Sequence, residues 1–297
     1  MQIFHFPDMI NILVTGSNGQ LGSEIQKIAP AFSELKFVYT DVDVLDITNV
    51  AAVDNFCDNN GFDFIVNCAA YTAVDKAESD LDLAYKINRD AVKNLATVAS
   101  KYNATLIHVS TDYVFDGTSC RPYVEDDVIN PQSAYGKTKA EGESEALKYN
   151  KSIVIRTSWL YSSFGANFVK TMMKLGSERS ELKVIFDQVG TPTYAEDLAT
   201  AILSIVRYTK TSELKSGIYH FSNEGACSWY DFAFEIMGFQ KYNCTVRPIE
   251  SKEYPSIVKR PFYSVLNKSK IKSTFAIEIP HWKTSLYRCL IELNAKK

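Results

Sequence analysis

Tyr135 and Lys139 stand four residues apart in Ser-Ala-Tyr-Gly-Lys-Thr-Lys (133–139), and Ser110-Thr111-Asp112 closes an apolar run shortly before them. Residues at i and i+4 of a helix share one face. A cation held beside a phenol favours the phenolate and draws down a pKa that starts near ~10. The tyrosine then becomes a proton donor or acceptor at neutral pH. A threonine hydroxyl from a neighbouring strand end would extend the donor chain to a substrate oxygen. Alone, Tyr-x-x-x-Lys also describes an ordinary exposed helical turn, so the elements around it decide.

Residues 10–15, Ile-Asn-Ile-Leu-Val-Thr, form a β-rich run that flows into Gly16-Ser17-Asn18-Gly19-Gln20-Leu21-Gly22 and then a helical pattern through Ile25 and Ile28. Strand, glycine turn and helix make the context in which glycines mark a dinucleotide site of the Rossmann type. Gly16 allows the tight turn, Gly19 lets the backbone approach a pyrophosphate, and Gly22 permits close helix–strand packing. Free N–H groups at the helix start then face the phosphates. The next strand, 35–40, ends at Asp41, placed to bind both ribose hydroxyls of NAD and to repel the extra phosphate of NADP. Asp43 competes for that role, and either acid also suits a turn cap. No nearby arginine offers itself to the phosphate, which favours NADH.

Further apolar runs at 62–70, 104–110 and 153–157 alternate with helical patterns at 84–101 and 135–149. Such alternation predicts an α/β fold, a doubly wound parallel sheet covered on both faces. Ligands should sit beyond the carboxyl ends of its strands, where Gly19, Ala70, Thr111 and Thr157 fall. The 297 residues exceed one ordinary core and predict an appended smaller lobe. Residues 1–165 and 192–223 are assigned to the nucleotide-binding lobe, and 166–191 and 224–297 to a discontinuous substrate lobe. A net charge of −3 with scattered basic residues indicates no nucleic-acid footprint. No apolar run approaches the ~20 residues of a membrane span. The six cysteines lack paired spacing and, without a secretory signal, read as reduced thiols of a cytoplasmic protein. Histidines 5, 108, 220 and 281 show no metal-ligand spacing and read as structural.

With these residues in place, the chain resembles the extended short-chain dehydrogenase/reductases, and within them the dTDP-4-dehydrorhamnose reductase family. The matching stretches are the glycine turn at 16–22, Val-Asn-Cys-Ala-Ala-Tyr-Thr-Ala-Val-Asp-Lys-Ala-Glu at 66–78 and His-Val-Ser-Thr-Asp-Tyr-Val-Phe-Asp-Gly at 108–117. They continue with 130–143 around Tyr135, Arg-Thr-Ser-Trp-Leu-Tyr at 156–161, Asp-Gln-Val-Gly-Thr-Pro-Thr at 187–193 and Lys-Arg-Pro-Phe-Tyr-Ser-Val-Leu-Asn at 259–267. Only Met1 to Met9 look like an extension.

The resemblance implies reduction of the C4 keto group of a dTDP-sugar by hydride from NADPH or NADH. Tyr135 would donate the proton and contact the cofactor, Lys139 would lower the phenol's pKa and hold the nicotinamide ribose, and Thr111 would bond the sugar oxygen. Asp41, Asp46 and Ile47 match adenosine-side positions; Gly16, Gly19, Gln20, Leu21 and Gly22 match the phosphate turn; Ala69, Ala70 and Tyr71 match the stretch beside pyrophosphate and ribose. Val74, Asp75, Asp112, Trp159 and Arg260 match substrate-side positions. Trp159 also suits an anchor between lobes, and Arg260 suits either a diphosphate clamp or a surface ion pair. The family is associated with Mg2+, but no carboxylate cluster in the sequence marks a site, and nothing specifies a homo-oligomer. Two other readings share the scaffold. One is a nucleotide-sugar epimerase or dehydratase, disfavoured because Tyr113 stands where dehydratases carry a glutamate. The other is a non-catalytic regulatory subunit, against which the intact Thr111, Tyr135 and Lys139 argue.

Overall fold

The computed structural model describes residues 9–296. His5 and all but Met9 of the expected extension lie outside the described residues. Six strands, β1 (Ile10–Thr15), β2 (Leu35–Thr40), β3 (Phe64–Asn67), β4 (Thr105–Thr111), β5 (Ser152–Thr157) and β6 (Gly217–His220), form one sheet in the order β6-β5-β4-β3-β1-β2. Every neighbouring pair is parallel. The chain leaves β1 outward to β2, then returns to place β3 on the other side of β1. That reversal opens a crevice at the carboxyl ends of β1 and β3, where open α/β sheets take their ligands.

Alternating side chains of the strands serve two faces, as a pleat of period two requires. On one face Ile12, Val14, Val66, Ile107 and Ile155 meet α1 (Gln20–Ile28) and the long helix Ala195–Thr211 through Leu21, Ile25, Leu198 and Ile202. On the other, Leu13, Ile65, Leu106 and Val154 meet helices Val50–Asn60 and Ala91–Lys101 through Val53, Cys57, Val92 and Leu95. The sheet is therefore doubly wound.

A second core gathers Val169, Met172, Met173, Leu182, Val184, Phe232, Ile236, Val246, Leu286 and Leu290. It is built from helices Phe168–Glu178, Trp229–Gln240 and Trp282–Ala295 around the parallel pair Glu181–Ile185 and Thr245–Ile249. Residues 195–220 lie with the sheet layer, through the packing of Ala195–Thr211 on α1 and the pairing of β6 with β5. Helix Ser269–Phe275, far along the C-terminal segment, also goes to the sheet layer, because Ile271 and Phe275 enter its core.

Two elements differ from the sequence expectation. The run 62–70 is strand only over Phe64–Asn67, because the Asn67 side chain accepts from its own chain two residues on, at Ala69 N–H (3.1 Å). The stretch 84–101 is not one continuous α-helix: it holds a π-helical turn over Lys86–Asp90. That turn carries Asn88, whose amide bonds both backbone groups of Tyr71 (2.8 and 3.1 Å) and the Thr138 hydroxyl (3.1 Å). π-bulges of this kind recur at functional sites.

Candidate active site

The glycine turn does what its spacing predicts. Gly16 adopts φ +66°, and a side chain there would stand 2.6 Å from the Ala69 backbone, so β1 and β3 can converge only at glycine. Gly22 lies against Ser17 in the same tight crossing. Beyond this convergence opens a cavity of about 570 Å³, lined by Gly16, Gly19, Asp41, Asp46, Ile47, Ala69 and Ala70 among the expected residues. Lys86, Leu83 and Ile87 line it too and were not foreseen, since they follow a helix whose facing cannot be read locally. Of the expected cofactor residues, Gln20, Leu21, Gly22, Tyr71, Tyr135 and Lys139 are not among its lining. Leu21 is buried in the core, the Gln20 side-chain oxygen accepts from Asn167 (2.9 Å), and the Tyr71 hydroxyl donates to Asp80 (3.2 Å).

Asp41 lines the cavity and caps its rim at once. Its carboxylate accepts from Asn18 N–H (3.0 Å) and Val42 N–H (2.8 Å), tying the end of β2 to the glycine turn. Asp43 is exposed and is not among the lining residues. The Asp46 carboxyl, held by the Thr48 hydroxyl and N–H, lies below its usual range. Small backbone-lined walls, an anionic rim and a glycine turn before a helix N-terminus fit a dinucleotide.

The catalytic candidates come from β4 and α2, a helix running Ala134–Leu147, whose start is capped by Ser133 Oγ accepting from Gly136 N–H (3.1 Å). The Thr111 hydroxyl stands beside the phenol of Tyr135, where it favours the ionised form. Thr111 in turn donates to Asp112 Oδ1 (3.0 Å) and accepts from Tyr113 N–H (3.2 Å). Burial pushes the buried Asp112 carboxyl up to about 7. Burial likewise pushes Tyr135 up to about 12, against the Thr111 hydroxyl and with the Asp112 charge.

This corrects one expectation: Lys139 does not draw the phenol down here. Its Nζ is turned to the strand, donating to Val109 O (2.7 Å) with His108 Nε2 at 3.3 Å, and burial lowers its own pKa to about 8. Tyr135 is thereby held protonated at neutral pH, the state a proton donor needs.

On the substrate side, Gly117 at φ +75° brings its loop against Pro261, where a side chain would stand 2.4 Å away. Arg260 is thus delivered to the catalytic loops from across the fold. It donates to Asp75 at 3.0 Å, so two expected substrate residues are paired with each other. Val74 and Asp75 begin the short helix Val74–Ala77. Beside Arg260 the cleft narrows to a cavity of about 10 Å³ between Tyr113, Ser133, Lys259 and Phe262, room for about one water. Trp159 stacks on Trp229 (centroids 3.5 Å apart) with its backbone at φ +48°. A left-handed tryptophan is strained by order 1–3 kcal/mol and is kept by its surroundings.

Beneath these groups Arg156 and Glu143 form a buried two-point ion pair (2.9 and 2.8 Å) joining β5 to α2. Neither was singled out from sequence, although both stand in quoted motifs.

The structure also assembles a carboxylate group that the sequence did not reveal. Among the described residues, Glu24, Glu196 and Glu292 alone meet metal-ligand spacing. Lys27 Nζ lies 2.5, 2.6 and 2.8 Å from the three. An ammonium already answers their charge, so this arrangement does not fit a divalent cation as it stands. It joins α1 to helices Ala195–Thr211 and Trp282–Ala295 as an ion-pair knot.

A doubly wound sheet with this turn and a Thr–Tyr pair at the end of its fourth strand is built as nucleotide-dependent oxidoreductases of the short-chain dehydrogenase type are. Residues 10–295 match the family described as the RmlD substrate binding domain, and the chain belongs to that family. A dTDP-4-dehydrorhamnose reductase of Aggregatibacter actinomycetemcomitans is 41% identical over 94% of this chain and 97% of its own. The crystal structure of a dTDP-4-dehydrorhamnose reductase of Clostridium acetobutylicum superposes with a TM-score of 0.91 at 45% identity, covering 96% of this chain and all of that one. A Bacillus anthracis reductase of the same name, crystallised with NADP, gives 0.90 at 37% identity over 96% and 99% of the two chains.

Proposed function

We propose that the chain reduces the C4 keto group of dTDP-4-dehydro-L-rhamnose to dTDP-L-rhamnose with NADPH or NADH. The reduced nicotinamide supplies the hydride. Tyr135 gives its proton to the oxygen of the former keto group, and the phenolate is reprotonated from solvent. Thr111 bonds the phenol and the sugar oxygen, placing donors where negative charge grows in the transition state. Lys139 holds the nicotinamide ribose, with Asp41, Asp46 and Ile47 at the adenosine end. Arg260 exchanges Asp75 for the diphosphate, and Trp159 with Val74 and Asp112 bounds the sugar. In this reading residues 166–191 and much of 224–297 form the substrate lobe, with helix Ser269–Phe275 excepted. The described chain has no helix long and apolar enough to cross a membrane, and a cytoplasmic location suits a soluble dTDP-sugar.

The carrying observation is the juxtaposition of Thr111, at the end of β4, with the phenol of Tyr135, set in a chain that matches its family over residues 10–295. The test is turnover of dTDP-4-dehydrorhamnose with each reduced cofactor, reading cofactor oxidised against sugar consumed. One cofactor oxidised per sugar reduced is expected. Sugar conversion with the cofactor recycled would point to an epimerase, and no conversion with either cofactor to a binding subunit.

A further inference from the structure

Lys139 meets a polar chain that starts at the end of the neighbouring strand, β3. Asn67, at the end of β3, is fully buried, as is His108 in the middle of β4. Asn67 Oδ1 accepts from Ala69 N–H (3.1 Å) and from the Thr15 hydroxyl (2.8 Å). A backbone N–H can only donate, so this bond fixes which way the amide faces. Asn67 Nδ2 must then be the group 3.0 Å from His108 Nδ1. An amide nitrogen is also only a donor, so His108 Nδ1 accepts. A neutral imidazole carries one proton, and the partner of one nitrogen decides where it sits. The proton of His108 is therefore on Nε2, the atom 3.3 Å from Lys139 Nζ.

An N–H pointing at a lysine nitrogen has a definite chemical preference. An ammonium offers three donors and no acceptor, whereas a neutral amine offers one lone pair. The chain Ala69–Asn67–His108 thus ends in a donor that matches the amine and opposes the ammonium. We propose that His108 is a positioning residue for Lys139: fixed in its Nε2–H tautomer by Asn67, it donates to the lysine nitrogen and so sets the protonation of Lys139 from the strand beneath it.

The other groups around Lys139 leave this role to His108. On its own helix, Tyr135 faces Thr111, and Glu143, though paired with Arg156 from β5, still favours the charged form of Lys139 against burial. The Asp112 carboxyl after β4 is occupied by Thr111 on one oxygen. Burial holds the imidazole itself neutral, its pKa well below the ordinary value with the Lys139 charge adding to the effect. Burial also brings Lys139 to about 8, close enough to neutrality for one hydrogen bond to shift its state. The amine donates to Val109 O in either state, so the backbone fixes its place and His108 its charge.

The inference concerns the free protein. It bears on catalysis through the reading that Lys139 holds the cofactor ribose, but its test does not need turnover. The first measurement is the imidazole ¹⁵N spectrum of His108 in the cofactor-free chain. A proton on Nε2 is expected, and a proton on Nδ1 would overturn the proposal. The second follows the ε-carbon resonance of Lys139, assigned by its loss in Lys139→Met, through a pH titration. In His108→Gln the side-chain carbonyl can accept from the ammonium, and the midpoint should rise by about one pH unit, tenfold in proton affinity. A purely structural His108 would change thermal stability and leave the midpoint where it was, and that result also overturns the proposal. Should His108→Gln not fold, His108→Leu keeps the site dry and removes the donor. Burial alone would leave its midpoint unchanged or lower, whereas a rise is expected here. Loss of reductase activity with these shifts intact would count against the functional reading alone.

Discussion

The two halves of the cleft are made of different materials. At the ends of β1, β2 and β3 lies a cavity of about 570 Å³ lined by backbone, small residues and two satisfied carboxylates, Asp41 and Asp46, among others. Beside Arg260 the pocket is only about 10 Å³, and Arg260 itself is paired with Asp75. The first half is ready before its ligand arrives, since strand ends and a glycine turn hold it open. In the proposed reading the second exchanges partners when a substrate enters, and its Arg260–Asp75 pair joins segments far apart in the chain. Binding energy spent on that exchange can be returned as orientation of the reacting groups.

The largest effect should come from the scaffold under the reactive side. Arg156 and Glu143 are both buried, and removing one member leaves an uncompensated charge. Arg156→Met should cost about 3–5 kcal/mol of folding stability, read as a lower urea midpoint. A loss below about 1 kcal/mol would mean that α2 is held to β5 by packing and that the pair is incidental.

Tyr135→Phe separates the halves most sharply. It should lower turnover by at least ~10²-fold through loss of the general acid, with cofactor binding largely kept. Normal turnover would place the proton donor elsewhere, and Asp112, buried and held near 7, would be the group to test.

Arg260→Ala acts on the closed half alone. Loss of charge-assisted bonds to a diphosphate should cost about 2 kcal/mol, roughly 30-fold in KM, with kcat falling as well if closure orients the sugar. Cofactor affinity should not move. KM and kcat near wild type would leave Asp75 as Arg260's only partner, and Lys259, which lines the same narrow cavity, would be tested next.

The same contrast explains what the sequence disclosed. Strands β1 to β5 were legible because each is a short apolar run bounded by turn residues, and the cofactor turn because its strand, glycines and helix are contiguous. The substrate side draws on partners far apart, and the Arg260–Asp75 pair spans 185 residues. Single-chain patterning carries no such register. The direction of Lys139 was hidden for a related reason. Helical spacing sets it on the face of Tyr135, but a strand carbonyl and His108 decide where its nitrogen goes. Asn67 and Asn88 were visible as polar residues in apolar settings, yet only the fold shows that they clamp Ala69 and Tyr71.

The smallest effect is expected at Asp41, where the open half meets its own discriminating charge. Its carboxylate holds two backbone N–H groups and still faces the cavity, so one residue both shapes the rim and sets its sign. An anion there opposes a 2′-phosphate and favours free ribose hydroxyls. Lys86, which also lines the cavity, works the other way, since an ammonium attracts a phosphate. The two together predict a shallow preference between NADH and NADPH. Asp41→Ala should move the ratio of kcat/KM values towards NADPH by a fewfold, and Lys86→Ala should move it towards NADH. Rim loosening would lower both cofactors equally, so only the ratio reports the charge. An unchanged ratio in Asp41→Ala would reduce Asp41 to the cap that its bonds to Asn18 and Val42 already describe.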